Sequence, residues 1–487
     1  MESILIKDKP RAIDRRAKDR IRAHYDRYAP RRAAYRARNS PYHQDLLRYY
    51  RFVIAPGSRV LEIGCGDGWL LRSLRPSRGA GVDISERMID AARRDLSPAQ
   101  REVIQFYQAD IECCRFTETF DFVILSDVVG NLLDIQQALV NIRTACTRDT
   151  RVIVNYHNIL WEPLLKWAEA SDLKMPQPHH NWLTAQDMRA FLRLTDFELV
   201  TLEQRFCWPF KTPVLEPACN RWLCHLPALR RLCLTNVLVM QIRPEARVEE
   251  HSVSIVIPCR NEKGNIRAAL ERLPSFGSQQ QLIFVDGHST DGTLAEIESA
   301  RADFPDRDIL ALSQSGAGKA DAVRLGFARA TGDMLMILDA DLTVAPEDLP
   351  KFYRALATRK GDFINGSRMV YPMERQAMRY LNMLGNKVFS ALFSWLLNQR
   401  LRDTLCGTKV LFAADYRRIE AGRDYFGDFD PFGDFDLLFG ARKCSHKIIE
   451  VPIRYRERTY GSTNIRRFYH GFILFKMVIF AFRKFKF

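Results

Sequence analysis

Two aspartates one residue apart, Asp339 and Asp341, close the apolar run MLMILDADLTV at residues 334–344. Carboxylates at the end of a buried strand are hard oxygen ligands for a divalent cation, and such a cation neutralises the charge on a departing diphosphate. The other reading of the pair is a cap on the following helix. Lys319, in the glycine-flanked stretch SGAGKADAVRLGF, offers a further cation for phosphate. A second constellation lies in the other half of the chain. There VLEIGCGDGWLL (60–71) is an apolar run broken at once by Gly64, Gly66 and Gly68 before a helical pattern. Glycines at such a turn let backbone N–H groups approach a ligand at a helix N-terminus. Asp83 ends the next apolar run, where an acid accepts hydrogen bonds from ribose hydroxyls, and Asp110 follows the third, where an acid reads an adenine amino group. Glu62 and Asp67 make this turn acidic, which repels a pyrophosphate and suits an ammonium or a sulfonium. A methyl donor therefore fits better than a dinucleotide, which stays open as the alternative.

Positioning these groups requires strands that end together. RVLEIG, AGVDIS, VIQFYQA, FDFVILS and RVIVNYH are short β-rich runs separated by segments long enough for helices, the pattern of βαβ units and a parallel sheet. FELVTLEQ and LCLTNVLVMQI are expected to finish that sheet as an edge hairpin. A second series begins at VSIVIP and QLIFVD, continues through MLMILDAD and ends in IIEVPIRY. The expected organisation is a basic extension over 1–45, an α/β domain over 46–242, a linker over 243–252, a second α/β domain over 253–465 and a basic amphipathic helix over 466–487.

Residues 46–205 resemble the class I S-adenosylmethionine-dependent methyltransferases. The resemblance implies a Rossmann-like domain in which Glu62, Gly64, Gly66 and Gly68 hold the amino-acid end of the cofactor and Asp83 and Asp110 hold its ribose and adenine. The methyl acceptor is not legible. Ser126, Asp127, Tyr156 and His157 fall on the crevice side by topology, with His157 either a general base or a loop histidine. The stretch PHHNWLTAQDM (178–188) is either a lid or a loop capping a helix at Thr184.

Residues 252–465 resemble the family-two glycosyltransferases of GT-A fold, and among them the dolichyl- and polyprenyl-phosphate sugar synthases. The resemblance implies transfer with inversion from a nucleotide-sugar donor. Pro258, Glu262, Asp286 and Lys319 would surround the nucleotide, Asp339 and Asp341 would hold Mg²⁺ or Mn²⁺, and Arg458 would meet the diphosphate. Gly287 and His288 stand where family members often show a second aspartate, which leaves the base and the sugar open. Arg368, Arg379 and Asn386 match positions that hold an acceptor phosphate, so a polyprenyl phosphate is the expected acceptor. Asp403, Lys409, Asp434 and Asp436 lie where the wider family keeps an acid near the acceptor, and Asp434 or Asp436 would serve as base should the acceptor be a saccharide hydroxyl. In that second reading the first domain is a binding or docking module.

Charge bears on the partners. The chain of 487 residues has a net charge of +15, but residues 1–40 and 451–487 each carry +8, leaving the remainder about neutral. Basic ends on a neutral body suit an anionic membrane surface, and no nucleic acid is expected. The eleven cysteines are odd in number and form no C-x-x-C pair, as free thiols in a reducing cytosol would. The N-terminus lacks the apolar run of a signal peptide, and no stretch reaches about 20 apolar residues. A cytoplasmic chain, peripheral on the cytosolic face of a membrane, is the expectation. The C-terminal helix is either an interfacial anchor or packed on the second core.

Overall fold

A parallel strand covered on both faces must be apolar along its whole length, and the runs named above are. In the computed structural model they form two seven-stranded sheets, one in each of two units, Met1–Arg243 and Pro244–Phe487. The structure describes residues 4–7, 15–178, 180–243, 249–369, 380–425, 434–456, 458, 460 and 467–486.

The first unit contains β1 (Leu5–Lys7), β2 (Arg59–Ile63), β3 (Arg78–Asp83), β4 (Ile104–Gln108), β5 (Cys114–Phe116), β6 (Phe120–Ser126), β7 (Cys146–His157), β8 (Phe197–Arg205) and β9 (Thr235–Ile242). The main sheet runs β4-β3-β2-β6-β7-β9-β8, and β1 pairs separately with β5. The first five strands are parallel, and β9 is antiparallel to both β7 and β8. The hairpin expected at the edge therefore places its second strand inside the sheet and leaves β8 outermost. Cores form on both faces, one around Leu61, Val123 and Val154 and the other around Val60, Ile124 and Ile153.

Within the basic extension expected over 1–45, the described residues pack as part of this unit. Helices α1 (Arg15–Tyr28), α2 (Arg32–Arg38) and α3 (Ser40–Val53) belong to this unit. α3 buries Leu46, Tyr49, Tyr50 and Val53, one face at helical spacing, into the second of those cores. α1 is pinned at two points. Asp26 accepts from the Ser85 hydroxyl at 2.6 Å, and Lys18 is buried beside Asp110 and Glu112. A helix this rich in Arg and Lys packs because its partners are carboxylates at strand ends.

The second unit contains β10 (Val253–Cys259), β11 (Gln280–Asp286), β12 (Asp308–Ser313), β13 (Met334–Ile337), β14 (Phe363–Ser367), β15 (Lys409–Phe412) and β16 (Ile448–Pro452). Its order is β12-β11-β10-β13-β15-β14-β16, with β10 to β13 mutually parallel and β15 antiparallel to both its neighbours. The C-terminal helix Arg467–Lys486 splits its apolar residues between two faces. Leu474, Met477, Val478, Ala481 and Phe485 are buried, with Phe482 stacked 5.2 Å from Trp395 and Phe485 edge-on 5.4 Å from Phe439. Phe472, Phe475 and Ile479 are exposed. Among the described residues no helix is long and apolar enough to cross a membrane.

Candidate active sites

In the first unit the glycine turn between β2 and α4 (Trp69–Ser73) has φ of 67°, 51° and 68° at Gly64, Gly66 and Gly68, values that side-chain-bearing residues rarely adopt. A Cβ at Gly64 would stand 2.0 Å from Val128 Cγ2, and one at Gly68 2.4 Å from the Phe106 ring. At Gly66 the nearest atom is Arg32 Nε, 3.7 Å away, so this part of the turn is open. Asp83 secures the turn by accepting from the N–H groups of Gly66 and Ser85, both at 2.9 Å. Burial pushes its carboxyl up, against the lowering effect of those donors. Glu62 lies behind the turn, where it accepts from the Leu71 N–H at 3.1 Å, and burial pushes it up to about 8.

Gly64, Gly66, Asp83 and Asp110 border one cavity of about 370 Å³, whereas Glu62 and Gly68 support it from outside. The sequence reading missed the other wall. Lys18, Tyr25, Arg32, Tyr35, Tyr42 and His43, from α1 to α3, close the cavity over the strand ends. The signal was present as tyrosines interleaved with arginines, but a solvated basic helix has the same composition. Arg36 pairs with Asp67, which neutralises part of the acidic turn. Arg32 makes no hydrogen bond or ion pair among the described residues.

Of the crevice-side candidates, Ser126, Asp127 and His157 line the cavity and Tyr156 does not. Burial holds the His157 imidazole down at about 3, with Lys174 acting in the same direction, so at neutral pH it takes up no proton. Asp127 is better placed for proton transfer. Its φ is 56°, it accepts from the Tyr42 hydroxyl at 2.9 and 3.0 Å and from Asn155 Nδ2 at 2.7 Å, and burial pushes its carboxyl up. Thr184 caps the helix Ala185–Leu194 in a capping box with Asp187, which settles the role of that part of PHHNWLTAQDM.

In the second unit the expected nucleotide and metal residues gather where β10, β11 and β13 end, as the crevice rule for open sheets requires. Asp286 accepts from the Ser289 N–H at 3.2 Å through Oδ2, while its Oδ1 is buried with no hydrogen-bond partner among the described residues. Gln314, which sequence reading passed over, donates its N–H to the Asp286 carbonyl at 3.0 Å and also leaves its Oε1 buried and unpartnered. His288 is exposed, with φ 60°. Pro258 lies one residue from the end of β10, in register with Val285.

The two metal candidates are each engaged by a cation. Lys319 Nζ lies 2.5 Å from Asp339, and burial, which alone would raise that carboxyl, is outweighed by Lys319, Lys409 and Arg368, so it stands below its ordinary value. Gly407 is packed against the pair, for a Cβ there would stand 2.1 Å from Asp339 Oδ2 and 2.3 Å from Lys319 Nζ. Asp341 accepts from Thr343 through Oδ1 and from Arg458 Nη2 at 2.7 Å through Oδ2. Arg458 also lies 3.2 Å from Glu262, whose carboxyl is raised by burial against the pull of that guanidinium.

The acceptor residues fare differently. Arg368, expected to hold a phosphate, is buried and donates from Nε and Nη2 to Asp403 at 2.7 and 2.8 Å, with its guanidinium 5.0 Å above the Tyr455 ring. Asn386 joins the same carboxylate at 3.0 Å, and together they hold Asp403 at about 2 against burial. Asp436, expected as a base, is clamped by Arg423 at 2.9 Å and Arg324 at 3.4 Å. Both corrections have one cause: the partners lie 35, 13 and 112 residues away in sequence. Lys409 is buried, with Nζ 2.5 Å from the Cys406 carbonyl. Arg379, Gly461 and the Asp434 side chain lie outside the described residues.

Comparison with known proteins agrees with this division. Residues 25–202 match the family described as Methyltransferase domain, and residues 254–419 match Glycosyl transferase family 2. The glycosyltransferase AglJ of Haloferax volcanii is 29% identical over 226 residues, 46% of this chain and 70% of that one. The undecaprenyl-phosphate 4-deoxy-4-formamido-L-arabinose transferase of Pectobacterium atrosepticum is 35% identical over 217 residues, 44% of this chain and 62% of that one. This chain thus spans about three-fifths of the length of the Pectobacterium relative. A crystal structure of an S-adenosylmethionine-dependent methyltransferase from Mesorhizobium loti aligns with 40% of this chain and 96% of its own, at 16% identity and a TM-score of 0.32. The chain joins a methyltransferase domain to a family 2 glycosyltransferase domain related to polyprenyl-phosphate sugar transferases.

Proposed function

We propose that the chain performs two group transfers: methyl transfer from S-adenosylmethionine in the first unit, and metal-assisted, inverting transfer of a sugar from a nucleotide sugar to a polyprenyl phosphate in the second. The observation that carries the second is the cluster of Asp286, Lys319, Asp339, Asp341 and Arg458 at the ends of parallel strands, with Asp286 Oδ1 an unused buried acceptor suited to a nucleobase N–H. Asp339 and Asp341 fit Mg²⁺ or Mn²⁺, hard cations that take carboxylate oxygens and keep the rest of their shell for phosphates. Such an ion would offset the charge developing on the leaving diphosphate. Lys319 and Arg458 are the chain's own cations at that point, and either can follow the diphosphate once its carboxylate is otherwise engaged.

The lipid-phosphate acceptor is supported by the likeness to the Pectobacterium relative, and the ion pairs of Asp436 with Arg423 and Arg324 tie up one of the two candidate bases that a saccharide hydroxyl would need. A phosphate monoester attacks without one. Asp403 engages the Nε and Nη2 edge of the Arg368 guanidinium, so contact with the acceptor phosphate would come from Nη1. In the first unit the open space at Gly66, the Arg32 side chain beside it and the acids Asp83 and Asp110 suit the carboxylate, ribose and adenine of S-adenosylmethionine. The methyl carbon passes from sulfur to the acceptor heteroatom, the C–S electron pair stays on sulfur, and the acceptor proton goes to Asp127. Such a chain works as a peripheral protein on the cytosolic face of a membrane. Incubation with labelled nucleotide sugars, Mg²⁺ or Mn²⁺ and polyprenyl phosphate should yield labelled glycolipid. Label carried only by saccharide acceptors would overturn the lipid-phosphate reading, and calorimetry showing no S-adenosylmethionine binding would overturn the methyl-transfer reading.

A further inference from the structure

An exposed apolar collar adjoins the first unit's cavity, which its residues Trp167, Leu173 and Phe210 line, and neither transfer as described uses it. Among the described residues, eleven of the twenty exposed large hydrophobic side chains fall in just two stretches, 159–173 and 210–232, whereas ordinary surfaces scatter them singly. Val214 is 76% exposed, Leu160 62% and Trp222 55%. The stretches are tied together. Asn158 Nδ2 donates to the carbonyls of Arg231 and Cys233, each at 3.0 Å, and Trp161 Nε1 donates to the Leu232 carbonyl at 2.8 Å. The ends of the second stretch are drawn close, with the sulfurs of Cys207 and Cys233 2.8 Å apart. The apolar character continues inward, since Trp161, Leu165, Phe206, Phe210 and Leu234 line the cavity on the way to Tyr42 and Asp127.

Charge selects the occupant. Residues 207–232 carry Lys211, Arg221, Arg230 and Arg231 against Glu216 alone. In 159–173 the three acids are already engaged, Glu162 by Lys166, Glu169 by Lys174, and Asp172 by Arg31 and Arg38. Exposed tryptophan and aliphatic side chains mixed with an excess of cations over acids suit the boundary of an anionic bilayer, where rings sit at head-group level and cations meet phosphates. We propose that this collar docks the first unit on an anionic membrane and that the methyl acceptor is a lipid-borne molecule, its head group entering the cavity while its apolar tail stays in the bilayer. The proposal rests on the methyltransferase reading of this unit.

Vesicles of phosphatidylcholine and acyl-brominated phosphatidylglycerol test it on the full chain. Tryptophan fluorescence should be quenched relative to unbrominated vesicles, and the difference between the parent and Trp222→Phe should assign part of that quenching to Trp222. Val214→Glu with Leu226→Glu should weaken vesicle binding about tenfold, leaving the melting temperature and S-adenosylmethionine affinity unchanged. Equal Trp222 emission in brominated and plain vesicles overturns the proposal. So does a parent that sediments as a dimer and a double variant that sediments as a monomer, since a second copy would then cover the collar. If the parent binds no S-adenosylmethionine while Trp222 is still quenched, the methyltransferase reading fails and the docking surface stands.

Discussion

The two units keep their acids ready in opposite ways. In the first, Asp83 and Glu62 are satisfied by neutral backbone N–H groups, and burial pushes both carboxyls up. In the second, Asp339, Asp341, Asp403 and Asp436 each face a lysine or arginine of the chain itself. A ligand entering the first site meets Asp83 with lone pairs still to offer, and among the described residues it meets a cation-engaged acid of that cavity only at Asp110, which is paired with Lys18. A ligand entering the second must exchange with a cation already present. The difference suits the ligands proposed above, because a nucleoside sulfonium would need acceptors and a metal-bound diphosphate would need both carboxylates and cations.

Removing a carboxylate should therefore cost most where a cation is left behind. Asp341→Ala deprives the diphosphate site of an anionic ligand and should lower sugar transfer about 10³-fold or more, read as labelled glycolipid. Retained activity, or activity in excess chelator, would refute the metal assignment. Asp403→Ala strands the buried Arg368 and should destabilise the second unit by about 3–5 kcal/mol, read by denaturant unfolding. Combining it with Arg368→Met should restore much of the loss, and failure to do so would mean that the pair holds more than itself in place. Asp83→Ala, which removes a hydrogen-bonded acceptor and leaves no stranded charge, should weaken S-adenosylmethionine binding by about 1.5–3 kcal/mol, read by calorimetry. Unchanged affinity would place the ribose elsewhere and erase the contrast between the units.

What the sequence disclosed tracks how local each signal is. The strands and the ends at Gly64, Asp83, Asp286 and Asp339 were legible because apolar runs, glycines and acids within a few residues determine them. The pairing of Arg368 with Asp403 and of Asp436 with Arg324 was not, because nothing near either residue marks a partner 35 or 112 residues away. The lid over the first cavity escaped for another reason. Lys18 and Arg36 sit on helices whose composition is that of a solvated surface, and the carboxylates that follow β4 and β2 turn that surface inward. The collar around the cavity is not legible, because its apolar residues in 210–232 are interrupted by proline and cysteine and follow no helical or strand period.

The smallest effect is expected at the C-terminal helix, where the comparison between units can be sharpened on the membrane side. This helix serves the second core through Leu474, Met477, Val478, Ala481 and Phe485, so deleting it would expose Trp395 and confound packing with docking. Its exposed residues Phe472, Phe475 and Ile479, three and four apart, form a narrow stripe beside the exposed Lys476 and Arg483. That stripe is far smaller than the first unit's collar and should contribute correspondingly less. Phe472→Glu with Phe475→Glu should weaken binding to anionic vesicles about threefold to fivefold while the melting temperature holds. Leu474→Glu should do the reverse, lowering the melting temperature because a charge enters the core. A vesicle affinity that is unchanged by the phenylalanine pair but falls with the collar variants would place membrane contact in the first unit alone. In that case a polyprenyl phosphate would have to reach the second unit without an anchor of that unit's own.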